Sequence, residues 1–146
     1  MSLSPHFTLA EMTRTGQTAL AVKNANEAHP YIPALTALCS TILEPIRARF
    51  GPVKVNSGFR GPAVNAAVGG SATSQHSKGE AADIVCPATD LDTLMRWIVD
   101  ESGIDYGQII REPGWVHISL GAPWRPSAKC VQALKTSDGK TDKAWP

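Results

Sequence analysis

The chain has little net charge with which to choose a partner. Its 146 residues carry a formal charge of +1, and 18% of them are charged. No global field draws the protein to nucleic acid, and there are few long polar runs of the kind a disordered chain needs. Long apolar runs are missing as well. None is long enough to span a bilayer, and the opening MSLSPHFTLAEMTRTGQ lacks a basic patch followed by an apolar stretch. These absences predict a protein made in the cytoplasm, without a signal peptide, that stays soluble with no membrane insertion. Cysteine is scarce: Cys39, Cys86 and Cys130 are odd in number, scattered, and form no close pair. That argues against structural disulfides and against a thiolate zinc site. Cys39 falls on an apolar helical stripe and Cys86 ends a strand-like run, so both are expected as small buried hydrophobes. Internal repeats are absent.

What is present suffices for one core, since 42% of the residues are hydrophobic and the length suits one domain. TLAE, Thr8 to Glu11, has the form of a capping box and predicts a short helix that Gly16 stops. Leu35, Leu38, Cys39, Ile42, Leu43, Ile46 and Phe50 recur at helical spacing up to Gly51, with Pro45 expected to bend or locally break that helix. PVKVNSGFR reads as a strand turning at Gly58, and GPAVNAAVGG as a helical turn with Pro62 at its start and Gly69 past its end. AADIVC reads as a short strand, and TDLDTLMRWIVDESG as an amphipathic helix closed by Gly103. YGQIIREPGWVHISL is a β-hairpin in which Pro113-Gly114 fit the central positions of a type II turn, with a longer or bulged turn as the alternative. The order of elements predicts an α+β domain over residues 1–125, with a small antiparallel sheet flanked by helices. Residues 126–146, proline-punctuated and carrying Lys135, Lys140 and Lys143, read as a mobile tail.

Strand parity brings the candidate chemistry together. In the second strand of the hairpin, Val116, Ile118 and Leu120 take one face, and Trp115, His117 and Ser119 take the other. His117 thus leaves the core beside a tryptophan, and the same period turns Asp83 away from Ala82 and Ile84. If Glu112 and Trp115 flank a two-residue turn, they are cross-strand partners and Glu112 is a diagonal neighbour of His117, about 7 Å away or somewhat less. SQHSKGEAAD sets His76 seven positions before Asp83, with Gly79 keeping bulk away between them. His76, Asp83 and His117 then supply two imidazoles and a carboxylate, a set that leaves a zinc coordination position open. Glu112 is the candidate base beside them. Arg60, in the turn SGFR, has a planar donor fork suited to a substrate carboxylate or a developing oxyanion. Taken singly, each has an ordinary reading: His76 as a solvated loop histidine, Asp83 and Glu112 as turn residues, Arg60 as a surface ion-pair partner, Trp115 as a surface aromatic. His6 and His29 have no supporting neighbours.

SQHSKGEAADI followed by EPGWVHIS resembles the zinc D-alanyl-D-alanine carboxypeptidase family, which shares its fold with the Hedgehog signalling domain and includes phage and bacterial peptidoglycan peptidases. The pattern falls on Ser74, His76, Gly79, Ala81, Asp83, Glu112 and His117, and the likeness runs from about Phe7 to Leu120. VNSGFRGPAVNAAVGGSATSQH is similar to the family's arginine-bearing turn. The resemblance implies a zinc peptidase with one ion held by His76, Asp83 and His117, Glu112 as base, Arg60 on a carboxylate or oxyanion, and Ser74 and Trp115 lining the substrate. Some members carry a histidine where this chain has Trp115, and others bring the glutamate nearer the last ligand. Asp105 is therefore a reserve candidate for the base.

The expected function is hydrolysis of a peptide bond in peptidoglycan stem peptides, by a D-Ala-D-Ala carboxypeptidase or an L-Ala-D-amino-acid endopeptidase. A monomeric phage or prophage lysin is expected, released to the cell wall by lysis or carried in a virion. One alternative is a non-catalytic, zinc-containing module that binds cell wall or protein, against which the presence of Glu112 weighs. The other is a metallohydrolase of some other amide or a phosphodiester, and the weak basic balance disfavours nucleic acid.

Overall fold

Two short strands, β1 (Ser2–Ser4) and β2 (Phe7–Thr8), open the chain and pair with each other. The computed structural model describes residues 1–71, 74–121, 124, 132–138 and 140–146. As the capping box requires, Thr8 Oγ1 accepts from the Glu11 amide at 3.1 Å and starts α1 (Leu9–Thr13). After α2 (Ala21–Glu27) the chain enters α3 (Ile32–Leu38) and α4 (Glu44–Phe50), joined without a break by a π turn over Cys39–Leu43. That turn is how the helix absorbs Pro45. A proline inside a helix has no amide to donate and crowds the carbonyl four residues back. Here the preceding turn widens, and the Glu44 amide bonds five residues back to Cys39.

The remaining elements build one six-stranded sheet and its cover. β3 (Lys54–Ser57), α5 (Pro62–Ala67), β4 (Ala81–Val85), α6 (Leu91–Asp100), β5 (Tyr106–Arg111), β6 (Val116–Leu120), β7 (Gln132–Lys135) and β8 (Lys143–Ala144) follow in that order. Asp90 caps α6 with Oδ1 on the Thr93 amide at 2.7 Å. The strand order is β3-β4-β6-β5-β7-β8. Every pairing is antiparallel except β5 with β7, which is parallel. The α+β class expected from the order of elements is what the chain adopts. Two expectations need correction. Residues 132–135 and 143–144, within the stretch read as a mobile tail, are sheet strands, tied further by the Thr136 amide to Arg111 O at 2.9 Å and the Trp145 amide to Ala133 O at 3.0 Å. The hairpin turn is also not type II, because positive φ among the described glycines is confined to Gly51, Gly69, Gly79 and Gly103 and a type II turn needs it at Gly114. The two-residue connection itself holds, with the Glu112 amide on Trp115 O at 2.9 Å.

One buried cluster joins the sheet to the helices. Ala82, Ile84, Val116 and Ile118 from the sheet meet Leu35, Leu38, Ile42 and Ile46 from the α3–α4 helix and Leu94, Met95 and Ile98 from α6, all at 0–1% exposure. Each fully buried leucine or isoleucine contributes about 1.5–3 kcal/mol, so this layer fixes which face of β4 and β6 is left for other work. No helix among the described residues is long and apolar enough to cross a membrane.

Cys39 and Cys86 are buried and unpaired. Burial pushes the Cys39 thiol up to about 12, with the Glu11 and Glu44 charges adding to it, and burial alone pushes Cys86 up to about 11. Cys130 lies outside the described residues. Cys39 and Cys86 are therefore expected to resist alkylation at pH 8 in the native protein and to react fully in denaturant, checked by peptide mapping after iodoacetamide treatment.

Candidate metal centre

Asp83 and His117 meet because of strand register. β4 and β6 pair so that Asp83 stands directly opposite His117, flanked by the Ala82–Ile118 and Ile84–Val116 pairs that face the core. With the core on one side, both polar residues must emerge on the other. His117 Nδ1 lies 2.9 Å from Asp83 Oδ1. On the far side of β4, Ser57 is opposite Asp83 across a bulge, and the chain leaves β3 there through Gly58.

His76 arrives from a separate element. It sits in a short 3₁₀ turn, Gln75–Lys78, that Ser74 caps by accepting the His76 amide at 3.2 Å. The turn closes on Gly79, whose φ of +69° suits glycine. A side chain there would lie 3.0–3.1 Å from Leu35 and Tyr31, so its role is to seat the turn on the helical layer, in addition to sparing space between the ligands. His76 is 3% exposed. Its Nδ1 is 2.8 Å from Gly58 O and its Nε2 is 3.3 Å from Asp83 Oδ1.

These distances fix the protonation pattern. A carbonyl only accepts, so His76 Nδ1 carries the proton and Nε2 turns its lone pair towards Asp83. His117 Nε2 is 2.7 Å from Gln75 Oε1, and donation there turns the Nδ1 lone pair of His117 towards the same carboxylate. Two neutral imidazole lone pairs and a carboxylate oxygen facing one another repel unless a cation lies among them, either extra protons or a metal. Ligand atoms of His76, Asp83 and His117 all lie within 4.8 Å of one another, a grouping able to hold one ion. The donor set, two nitrogens and one oxygen with each outer imidazole nitrogen bonded to an oxygen, fits a zinc-type site with an open position. Burial works against ionisation of Asp83, but with protons on the facing His117 and His76 nitrogens the hydrogen bonds, and the positive charge that comes with them, outweigh it and hold the carboxyl well below the ordinary range.

Arg60 borders the same site. Its Nη2 donates to Ser74 Oγ at 3.4 Å, while its Nε is buried without a partner among the described residues. Burial lowers its pKa, and the nearby Asp83 charge partly counters that. Glu112 and Trp115 face each other across the hairpin turn, and Ile110 faces His117, so Glu112 is the diagonal neighbour of His117 that parity required. Burial first, and then the Asp83 charge, raise the Glu112 carboxyl above its ordinary range, with His117 acting the other way. Asp105 is exposed, at the opposite end of β5. It stands five residues from Ile110, about 16 Å along a strand, and the structure does not bring it to the cluster. Ser119, expected on the polar face, is fully buried, its hydroxyl accepting the Gln108 amide at 2.9 Å.

Two residues that sequence reading passed over hold the site in shape. Gln75 is the oxygen on which His117 is oriented. Asn24 is 1% exposed and donates to Thr13 O at 2.8 Å and Phe59 O at 3.2 Å, while its Oδ1 accepts the Gly61 amide at 2.7 Å. It grips the chain on both sides of Arg60, whose own amide bonds to His76 O at 3.0 Å. No motif signals either role, because both partners of each contact are distant in sequence. Asn24→Ala leaves three buried backbone groups unpaired and is expected to lower stability by about 2–4 kcal/mol, checked by urea denaturation. Gln75→Ala is expected to keep the fold and weaken metal binding about 10- to 100-fold, measured by competition with a chromogenic chelator.

The family model described as Peptidase M15 matches residues 5–119, a span that contains Asn24, Arg60, Ser74, Gln75, His76, Asp83, Glu112, Trp115 and His117. No curated protein matches the chain. The match covers well over half the sequence and every residue gathered around the cluster, and the chain belongs to the Peptidase M15 family of zinc metallopeptidases.

Proposed function

We propose that this metallopeptidase binds one zinc ion through His76 Nε2, Asp83 Oδ1 and His117 Nδ1 and hydrolyses a peptide bond in peptidoglycan stem peptides. The bond is either D-Ala-D-Ala or an L-Ala-D-amino-acid link, and the protein acts as a phage or prophage lysin. The observation that carries the reading is the convergence of two imidazole lone pairs on a carboxylate, with a second carboxylate, Glu112, diagonally across the same strand pair. When bound, zinc supplies water activation near neutral pH and polarises the scissile carbonyl.

The remaining steps belong to this chain's side chains. Glu112 receives the proton of the attacking water at its carboxylate and passes it to the leaving amine. Arg60, with an unspent buried Nε–H, binds the substrate's carboxylate or the developing oxyanion. Ser74 Oγ orients that guanidinium. Trp115, half-buried opposite Glu112, forms an apolar wall for the peptide. Support for a cell-wall substrate comes from the likeness of SQHSKGEAADI and EPGWVHIS to peptidoglycan peptidases.

Purified protein incubated with peptidoglycan is expected to release peptide fragments, seen by mass analysis, and to stop doing so with a chelator. Glu112→Gln is expected to lower kcat by about 10²–10⁴ while zinc content stays at one per chain. Retention of zinc by a wild type that releases no fragments would instead indicate a binding module. An unchanged rate in Glu112→Gln would remove Glu112 from the base role.

A further inference from the structure

A concavity of about 990 Å³ lies on the sheet face opposite the metal cluster. Glu112 and His117 share one face of the β5–β6 ribbon, and Arg111 takes the other, where its Nε meets Asp92 of α6 at 2.8 Å. Arg111 is in register with Lys135 on β7, and Lys135 is directly opposite Lys143 on β8. Residues paired in register share a face, so three cations stand in a row across three adjacent strands. The two ends of the row are about 10 Å apart. Like charges placed directly opposite one another across strands destabilise a sheet. Asp92 pairs with Arg111, and the nearer charge to Arg96 is that of Asp90. Arg96, from α6, adds a fourth cation to the same cleft, and Asp100 is the other acidic residue lining it. No ion pair among the described residues engages Arg96, Lys135 or Lys143. One wall is Trp145, anchored by its amide on Ala133 O and packed against the core.

We propose that this cleft binds an anionic saccharide chain, with a sugar ring against Trp145 and carboxylate or phosphate groups bridging Lys135, Lys143 and Arg96. The bound anion relieves the repulsion that the β7–β8 pairing creates, and the aromatic wall selects a ring-bearing polymer over a bare ion. The choice of a wall-derived probe and the pairing with peptide work on the opposite face rest on the proposed function, whereas the cleft itself lies across the sheet from the metal ligands. The site holds the enzyme on its polymer while the opposite face works on peptide.

The test uses the full chain and probes with no peptide bond to cleave, so that its failure is separate from failure of the peptidase reading. Glycan strands stripped of their peptides, which carry a free carboxylate on each muramic residue, and a glycerol-phosphate polymer are titrated while tryptophan fluorescence is followed. A neutral chitin oligosaccharide and single-stranded DNA serve as comparisons. Tighter binding of the carboxylated glycan than of the neutral one or of DNA is expected, weakening with added salt. The double variant Lys135→Gln/Lys143→Gln is expected to lose about tenfold or more in affinity, with a thermal midpoint at low salt no lower than wild type. Binding of the phosphate polymer but not of the carboxylated glycan would overturn the proposal, because a glycerol-phosphate chain has no sugar ring to lie against Trp145. Equal affinity for DNA, equal affinity for the neutral oligosaccharide, no binding of either anionic polymer, or unchanged affinity in the double variant would each overturn the proposal.

Discussion

The pairing register of β4 with β6 is the constraint on which the rest depends. It places Asp83 opposite His117, and a slip of one residue would send both side chains into the core and bring Ala82, Ile84, Val116 and Ile118 to the surface. The hydrophobic layer beneath therefore does more than stabilise the fold. By burying those four side chains at 0% exposure, it enforces the alignment of two of the three proposed ligands, so the geometry of the site is inherited from packing on the other side of the sheet. The third proposed ligand has no such guarantee. His76 depends on a one-turn element held by Ser74, Gly79 and the carbonyl of Gly58.

That difference explains what the sequence makes legible. Alternation in WVHISL and AADIV places His117 and Asp83 off the core face, because the strand period is a local property that one chain segment displays by itself. The same logic places Glu112 beside His117, since a two-residue turn fixes which residues of the hairpin are partners. Asn24 and Gln75 are illegible for the converse reason. Asn24 acts on backbone at Thr13, Phe59 and Gly61, and Gln75 on a ring 42 positions away, and neither contact leaves a periodic trace. The turn at Pro113-Gly114 departs from type II because residue preference there permits more than one geometry and the sheet decides between them.

The C-terminal segment shows how composition misleads. Lysines among small polar residues look like a solvated tail, yet Leu134 and Ala133 align beside Ile110 and Ile109 in a parallel pairing. A parallel strand cannot be foreseen from its neighbours in sequence, because its partner is reached only through a crossover. The expectation of an antiparallel sheet consequently covers every pairing in the sheet but this one.

Electrostatics then divides the sheet into two faces with opposite demands. On one, lone pairs and a carboxylate crowd together and call for a cation. On the other, Arg111, Lys135 and Lys143 crowd together and call for an anion. Arg111 and Glu112 are adjacent in sequence and point to opposite faces at the end of β5, so the last turn of the hairpin takes part in both. Arg111 is held from two directions, by Asp92 on α6 and through Nη1 by the carbonyl of Glu112 itself. The backbone that carries the proposed base is thus fastened to the helix behind the sheet. A charge brought close to Arg111 acts on the same short segment that sets where the Glu112 carboxylate stands.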